Sequence, residues 1–248
     1  MRDLARRHGP VMLLRMGELP TVVVSSREAA REVMKVHDAA FSSRPLSPTV
    51  GAISNGGRDI IFAPYGEHWR QLRKVAITEL LSARRVLSFR RVREEEVAAA
   101  AAASTSSAAV EMRARLSALV SDASARVLLG DRCKDRDMRL STSVRCWPGG
   151  DPEEFRPERF EETGGAGEVD FKGTDFELLP FGAGRRMCPG MMFVVANVEL
   201  VLASLLFHFD WEVPGVAKLD MTETLGVTVR RKAGLLLRPI VRVPVPGV

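Results

Sequence analysis

Residues 181–190 are Phe-Gly-Ala-Gly-Arg-Arg-Met-Cys-Pro-Gly, and this stretch decides the interpretation of the whole chain. It places Cys188 between a glycine-bearing loop and a long apolar segment, residues 191–207, which is predicted to form a buried helix. Gly184 permits the backbone angles of a tight loop, which can aim several N–H groups at the sulfur. Pro189 predicts that the helix begins there, with its positive end near a thiolate. Such a cysteine is suited to bind a metal as the thiolate.

Two other interpretations of this stretch fit it less well. A single cysteine in an apolar setting is usually a small buried hydrophobic residue, but this one lies in a run with several further characteristic positions. A phosphate-binding loop is set aside, because Gly182-Ala-Gly184 lacks the third glycine of the dinucleotide pattern and the end of a P-loop. Cys133 and Cys146 have no partner at the spacing of a zinc site, and three sparse cysteines argue against a disulfide framework.

The run fits F-x-x-G-x-R-x-C-x-G at all five fixed positions, which are Phe181, Gly184, Arg186, Cys188 and Gly190. It resembles the heme-binding loop of the cytochrome P450 monooxygenases, and especially that of plant members of specialised metabolism. The resemblance implies that Cys188 is the thiolate ligand of the iron of heme b, and that Arg186 binds a heme propionate. It also implies that Phe181 covers the sulfur and that Gly190 lets the backbone lie close to the macrocycle. No separate catalytic side chain is assigned.

Two further stretches resemble the same family. Trp69-Arg-Gln-Leu-Arg73 fits W-x-x-x-R, in which the two residues share one helix face. The resemblance implies that Trp69 and Arg73 reach a propionate from the side opposite Arg186; the alternative is that Trp69 packs and Arg73 is solvated. Residues 155–160 resemble the segment that precedes the ligand loop, where Arg159 would bind a Glu–Arg pair of an earlier helix.

Other parts of the chain correspond to the family by position or depart from it. By position, residues 44–63 and residues 225–228 correspond to loops that contact substrate. The family's Glu-x-x-Arg has no counterpart before residue 155, because Glu28-Ala-Ala-Arg31 and Glu67-His-Trp-Arg70 lie too early. The long central helix with the acidic residue and threonine for oxygen activation is also missing, and Glu161-Glu-Thr163 matches that pair in letters only.

These departures predict an interrupted domain. The predicted fold class is mainly α with small β-sheets, a partial cytochrome P450 fold. Residues 1–137 are its N-terminal part, residues 138–146 are the junction where the central part is missing, and residues 147–248 are its C-terminal heme-ligand part. The N-terminal membrane anchor of the family is expected to be absent as well, because the chain starts with charged residues and has no apolar leader.

The charge of the chain is uneven. The net charge of +5 combines +9 over residues 1–150 with −4 over the rest. A nucleic-acid partner is not expected, because the chain has one tyrosine and no recognised nucleic-acid motif. One basic run is either a solvated face or, as the resemblance implies, a docking face for an acidic reductase. It consists of Arg84, Arg85, Arg90, Arg91 and Arg93.

Three hypotheses about function follow. In the first, the chain is a heme-thiolate monooxygenase that inserts one oxygen atom from O2 into a small apolar substrate, with electrons from NADPH through a reductase. The resemblance then implies association with the cytosolic face of the endoplasmic reticulum membrane. In the second, the chain is a shortened product that binds heme without oxygen chemistry or stays heme-free. In the third, it is a basic helical interaction module without heme.

Overall fold

The computed structural model describes residues 2–105, 108–130, 157–160, 169–215, 220–224 and 230–246. Helices dominate this part of the chain and the strands form small antiparallel sheets, as the sequence predicts. Contacts divide the chain into two compact units with interleaved segments: residues 1–78 with 145–189, and residues 79–144 with 190–248. The predicted junction at 138–146 lies outside the described residues, so the predicted division of the domain stays a prediction.

The first unit begins with a helix and a hairpin and continues with short helices. In chain order its elements are α1 (Arg2–His8), β1 (Val11–Met16), β2 (Leu19–Val24), α2 (Arg27–Arg31) with a π-helical turn Glu32–Val36, α3 (Pro48–Ile53), α4 (Glu67–Val75) with a π-helical turn Ala76–Leu80, and 3-10 turns at Pro157–Phe160 and Gly184–Arg186.

Local sequence signals explain where these elements start. Strands β1 and β2 pair in register from Val11 with Val24 to Met16 with Leu19. Helix α3 lies inside the stretch 44–63, which corresponds by position to a loop of the family. It forms because the hydroxyl of Ser47 accepts a hydrogen bond from the N–H of Val50 at 3.2 Å and because a proline occupies its first turn.

The second unit contains longer helices and the remaining strands. In chain order its elements are α5 (Ala83–Ser88), α6 (Arg90–Ala102), β3 (Val110–Glu111), α7 (Met112–Leu129), α8 (Met191–His208), β4 (Phe209–Glu212), β5 (Glu223–Thr224), β6 (Arg230–Arg231) and β7 (Leu236–Val241). Strand β7 is the centre of a sheet of order β3-β7-β4, and β5 pairs with β6.

The core of the second unit lies where α6, α7, α8 and β4 meet. Its buried residues are Val97, Ala101, Met112, Leu119, Val201, Leu205, Phe209 and Val245. The carboxylate of Glu111 starts α7, since it accepts hydrogen bonds from the N–H groups of Arg113 at 3.3 Å and Ala114 at 2.6 Å. The same carboxylate accepts from the N–H of Leu235 at 3.1 Å, which ties the helix start to the segment leading into β7.

Helix α8 differs from its prediction in two respects. It begins at Met191 after a cap at Gly190, whereas the sequence predicts a start at Pro189. It is also not a buried helix, because only Asn197, Val201 and Leu205 are buried, on the face toward its neighbours. Six of its other apolar side chains are exposed: Met192, Val194, Val198, Leu202, Leu206 and Phe207.

The composition of α8 also meets the length and hydropathy of a membrane span. Among the described residues, α8 is the one helix that is long and apolar enough to cross a membrane. Its mean hydropathy is 1.9 over 18 residues, of which 17% are buried. The core helix of a soluble protein can have the same length and hydropathy, so these two properties support a membrane role only weakly.

The predicted basic face is smaller in the structure than in the sequence. Arg93 is buried, donates a hydrogen bond to the carbonyl of Val86 at 2.7 Å, and has its pKa lowered by desolvation. Arg90 and Arg91 each form an ion pair with the glutamate four positions on, at 2.6 and 3.4 Å. Of this run, the arginines that are exposed and have no acidic partner within the described part of the chain are Arg84 and Arg85.

Candidate cofactor-binding site

The predicted ligand loop is closed by its own backbone. The N–H of Cys188 donates to the carbonyl of Phe181 at 2.9 Å, and the N–H of Met187 donates to the carbonyl of Gly184 at 3.1 Å. The thiol of Cys188 is half-buried and forms no disulfide. The loop therefore holds the cysteine at a fixed point of a tight turn, as the sequence predicts for a ligand-bearing segment.

Gly184 is required here for two reasons. Its φ is +63°, in the left-handed region that favours glycine. A Cβ atom at this position would lie 1.9 Å from the carbonyl oxygen of Met34, in the turn Glu32–Val36. The positive φ confirms the tight turn that the sequence predicts, and the contact with Met34 adds a reason that the sequence does not reveal.

The two outer positions of the motif have ordinary surroundings. Phe181 is half-buried and its ring centroid lies 6.2 Å from that of Phe171. Its role as a cover for the sulfur stays a prediction. Gly190 belongs to the second unit and has φ −90° and ψ 9°, which other residues also adopt. The expected approach of the macrocycle to Gly190 therefore also stays a prediction.

The guanidinium of Arg186 is held by backbone carbonyls. Its Nε donates to Ser42 at 2.6 Å, its Nη2 to Ala63 at 2.6 Å, and its Nη1 to Ile61 at 3.4 Å. These contacts use three of the five donors of the side chain, so two are left for a carboxylate. Arg186 thereby joins the ligand loop to Ser42, just before the stretch 44–63, and to the end of that stretch. The expected role of the stretch in substrate contact stays a prediction.

Trp69 is buried, and its indole N–H donates to a backbone carbonyl. Its side chain is 3% exposed, and its indole N–H donates to the carbonyl of Ile60 at 3.0 Å. A buried indole N–H usually has a hydrogen-bond partner, and here that partner is a backbone carbonyl. The contact of Trp69 with a propionate, which the resemblance implies, stays a prediction. The ring lies against two guanidinium carbons, that of Arg186 at 4.4 Å and that of Arg73 at 5.4 Å from its centroid.

Arg73 and Arg186 are desolvated cations of one cluster. Burial lowers the pKa of Arg73, while attraction to a Cys188 thiolate opposes that change. The pKa of Arg186 is lowered first by burial and then by the charges of Arg44 and Arg73. In the described ranges no acidic side chain forms an ion pair with any of the three arginines.

Arg44 is the member of this cluster that the sequence analysis does not assign. It lies in the stretch 44–63, which the resemblance connects with substrate, and no motif letter marks it. The only sequence signal is a basic residue directly before Pro45, at the start of a loop. The three residues Arg44, Arg73 and Arg186 are called the arginine cluster below.

The donor set fits heme. Arg73 and Arg186 are partly buried cations without counter-charges, which is costly, so this part of the arginine cluster favours an anionic group. A half-buried cysteine beside it provides a thiolate for iron, and two propionates would supply the missing negative charges. Within the described residues no group of three His, Cys, Asp or Glu side chains could hold a bare metal ion.

Several predicted residues cannot be placed in this site. The side chain of Arg159 lies outside the described residues, and so do residues 161–163 and residues 225–228. Glu67 and Arg70 bind each other at 2.6 Å as neighbours on one helix, so they form a local ion pair.

A family model described as cytochrome P450 matches residues 1–146 and, as a second segment, residues 140–238. The chain therefore belongs to the cytochrome P450 family. Its cofactor is heme b with thiolate-ligated iron, and by family it is a heme-thiolate monooxygenase, as the resemblance predicts.

Curated relatives are plant P450 proteins. Zealexin A1 synthase from Zea mays is 27% identical over 444 positions, which cover 97% of this chain and 87% of that protein. Dolabradiene monooxygenase from Zea mays is 27% identical over 448 positions, which cover 98% of this chain and 87% of that protein. Each alignment has many more positions than the 248 residues of this chain, so a long part of each relative has no counterpart here.

Solved structures confirm the predicted fold class. A zebra fish cytochrome P450 solved with abiraterone has a TM-score of 0.72 and 14% identity, and the match covers 97% of both chains. Retinoic acid bound cyanobacterial CYP120A1 has a TM-score of 0.75 and 13% identity, and the match covers 97% of this chain and 93% of that one.

The arginine cluster generates the first prediction. Arg73→Gln should weaken heme binding about tenfold, because it removes a charge-assisted contact to a carboxylate. Arg70→Gln is the matched control, since Arg70 lies on the same helix but is engaged by Glu67. The measurement is a titration of the heme-free chain with heme, followed by absorbance and by quenching of tryptophan fluorescence. Equal losses in the two variants would contradict the assignment of Arg73.

Proposed function

We propose that the chain inserts one oxygen atom from O2 into a small apolar substrate, with electrons from NADPH delivered by a reductase. The observation that carries this proposal is the closed loop presenting Cys188 beside the arginine cluster, in a chain of the cytochrome P450 family. Bound heme supplies the oxygen-activating chemistry, and a thiolate ligand favours cleavage of the O–O bond.

The residues of the chain have separate tasks in this function. Cys188 provides the thiolate from a loop whose turn is fixed by Gly184. Arg73, Arg44 and the two unused donors of Arg186 bind the propionates and orient the plane of the group. The ring of Trp69 backs the guanidinium groups and keeps water from them, which strengthens their interaction with carboxylates.

The names of similar plant proteins support the substrate class and the location. They include a dolabradiene monooxygenase and an ent-cassadiene hydroxylase, from Zea mays and Oryza sativa. We infer an apolar organic substrate of plant specialised metabolism for this chain. We also infer association with the cytosolic face of the endoplasmic reticulum membrane.

The axial ligand is tested by the spectrum of the reduced, carbon-monoxide-treated protein. Cys188→Ser should abolish the strongly red-shifted Soret band, because only a thiolate produces it. Cys133→Ser and Cys146→Ser are the matched controls and should keep the band. Retention of the band in Cys188→Ser would exclude Cys188 as the ligand, and absence of any heme absorbance in the parent chain would favour a heme-free module.

A second candidate function is heme binding without oxygenation. The family model matches in two segments, and the alignments leave a long part of each relative without a counterpart. This observation supports the interpretation that the central helix, with its acidic residue and threonine, is missing between the two segments. The chain would then hold heme through the first unit but could not guide protons to bound dioxygen.

Turnover distinguishes the two functions. If the central part is missing, the purified chain with reductase, NADPH and substrate should form no oxygenated product, and electrons should appear as hydrogen peroxide. The measurement is NADPH consumption against product and peroxide. Product formation matched to electron use would establish the monooxygenase and reject the non-catalytic interpretation.

The docking proposal is restricted to the two exposed arginines of the basic run. Arg84→Glu with Arg85→Glu should slow reduction by an acidic reductase about tenfold at low salt and much less at high salt, because salt screens charge steering. Arg90→Gln with Arg91→Gln is the control, since these side chains are already paired with glutamates. A loss that is independent of salt would count against electrostatic docking.

A further inference from the structure

Arg185 binds partners different from those of its neighbour Arg186. Its Nη2 donates to the carboxylate of Asp38 at 2.7 Å, and its Nη1 donates to the hydroxyl of Tyr65 at 2.6 Å. Its backbone N–H also donates to Asp38, at 3.3 Å. One carboxylate therefore holds both the main chain and the side chain of a residue in the ligand loop.

This ion pair is shielded from water. The side chains of Asp38 and Arg185 are 19% and 34% exposed, and the guanidinium of Arg185 lies 4.8 Å from the centre of the Tyr65 ring. The hydrogen bond from Arg185 lowers the pKa of Asp38, and the carboxylate raises the pKa of Arg185. Both groups therefore stay charged at neutral pH, and loss of one would leave a poorly solvated charge.

The contacts converge on the short turn Gly184–Arg186. Gly184 packs against the backbone of Met34, and Arg185 binds Asp38 and Tyr65. Arg186 binds the carbonyls of Ser42, Ile61 and Ala63. All these partners lie on the N-terminal side of the chain, and the turn ends two residues before Cys188. The position of the thiol is thus set by groups that do not touch it.

We propose that Asp38 is a positioning residue for the ligand cysteine. Through Arg185, and together with the Tyr65 hydroxyl, it fixes the turn Gly184–Arg186 before heme is bound and so presents Cys188 to the iron. The inference rests on the proposed heme-thiolate function for its purpose. The motif letters do not assign this role, because Arg185 occupies a variable position of the pattern.

The first test needs no heme. Asp38→Asn removes the charge and keeps the shape, so it should accelerate hydrogen exchange of the amides of residues 181–188 about tenfold in the heme-free chain. Glu177→Gln is the matched control, because Glu177 pairs with Arg27 at 2.6 Å across a similar sequence separation in the same unit. This more exposed pair should change loop exchange less than about twofold.

Helix α7, residues 112–129, is the internal reference for that measurement. Faster exchange confined to residues 181–188 supports positioning. Equal acceleration in α7 would show loss of global stability and would overturn the proposal, as would equal effects of Asp38→Asn and Glu177→Gln. If Asp38→Asn does not fold, Tyr65→Phe removes only the hydroxyl contact and should give a smaller acceleration in the same residues; no acceleration in that variant would overturn the proposal.

The second test uses the heme-loaded chain. After reduction and treatment with carbon monoxide, Asp38→Asn should lower the share of heme with the thiolate-type band about tenfold relative to the parent, and Asp38→Glu should restore it. An unchanged share would overturn the role of Asp38. If the parent itself shows no thiolate band, the proposed function fails, while the exchange experiment still decides whether Asp38 fixes the loop.

Discussion

Two adjacent arginines on one tight turn hold the first unit together. Arg185 and Arg186 reach partners that lie 120 to 147 residues earlier in the chain. Arg185 forms a shielded ion pair with the carboxylate of Asp38, and Arg186 binds three backbone carbonyls. Both sets of contacts require glycine at position 184, because a side chain there would collide with the main chain at Met34. The ligand loop is therefore a junction of the fold as well as a cofactor site.

The contacts of Arg186 leave positive charge beside Trp69. Arg186 cannot be neutralised by its own contacts, because carbonyls accept hydrogen bonds without carrying a full negative charge. Arg73 and Arg44 add further positive charge near Arg186, and the partial burial of Arg73 and Arg186 is costly without an anion. Affinity for heme and stability of this region are coupled, because a ligand that binds only the folded state stabilises it.

The sequence predicts the ligand loop and the fold class well, because five spaced residues encode a local turn that belongs to one family. It predicts less well what depends on distant partners. No pattern shows that Asp38 meets Arg185 or that Arg44 lies near Arg186, since these contacts form only when remote segments pack together. Nor does any pattern show that the indole N–H of Trp69 donates to the carbonyl of Ile60.

The prediction that helix α8 is buried is wrong for a related reason. Its composition indicates burial, yet burial depends on how many neighbours surround a helix, and α5 and α6 cover one side. Half-exposed residues such as Leu202 and Leu206 forgo part of the about 1.5–3 kcal/mol that full burial of a leucine contributes. An apolar stripe of this kind is expected where a segment that normally covers it is missing, which agrees with the two-part match to the family.

Heme binding and oxygenation therefore depend on different parts of the sequence. The cysteine, the arginine cluster and the groups that position the loop come from residues 34–73 and 181–188, which belong to one compact unit. Their contacts form within that unit and do not involve the segment that the relatives have and this chain lacks. The residues assigned to heme binding and the long part of each relative that has no counterpart here are thus separate portions of the family's sequence.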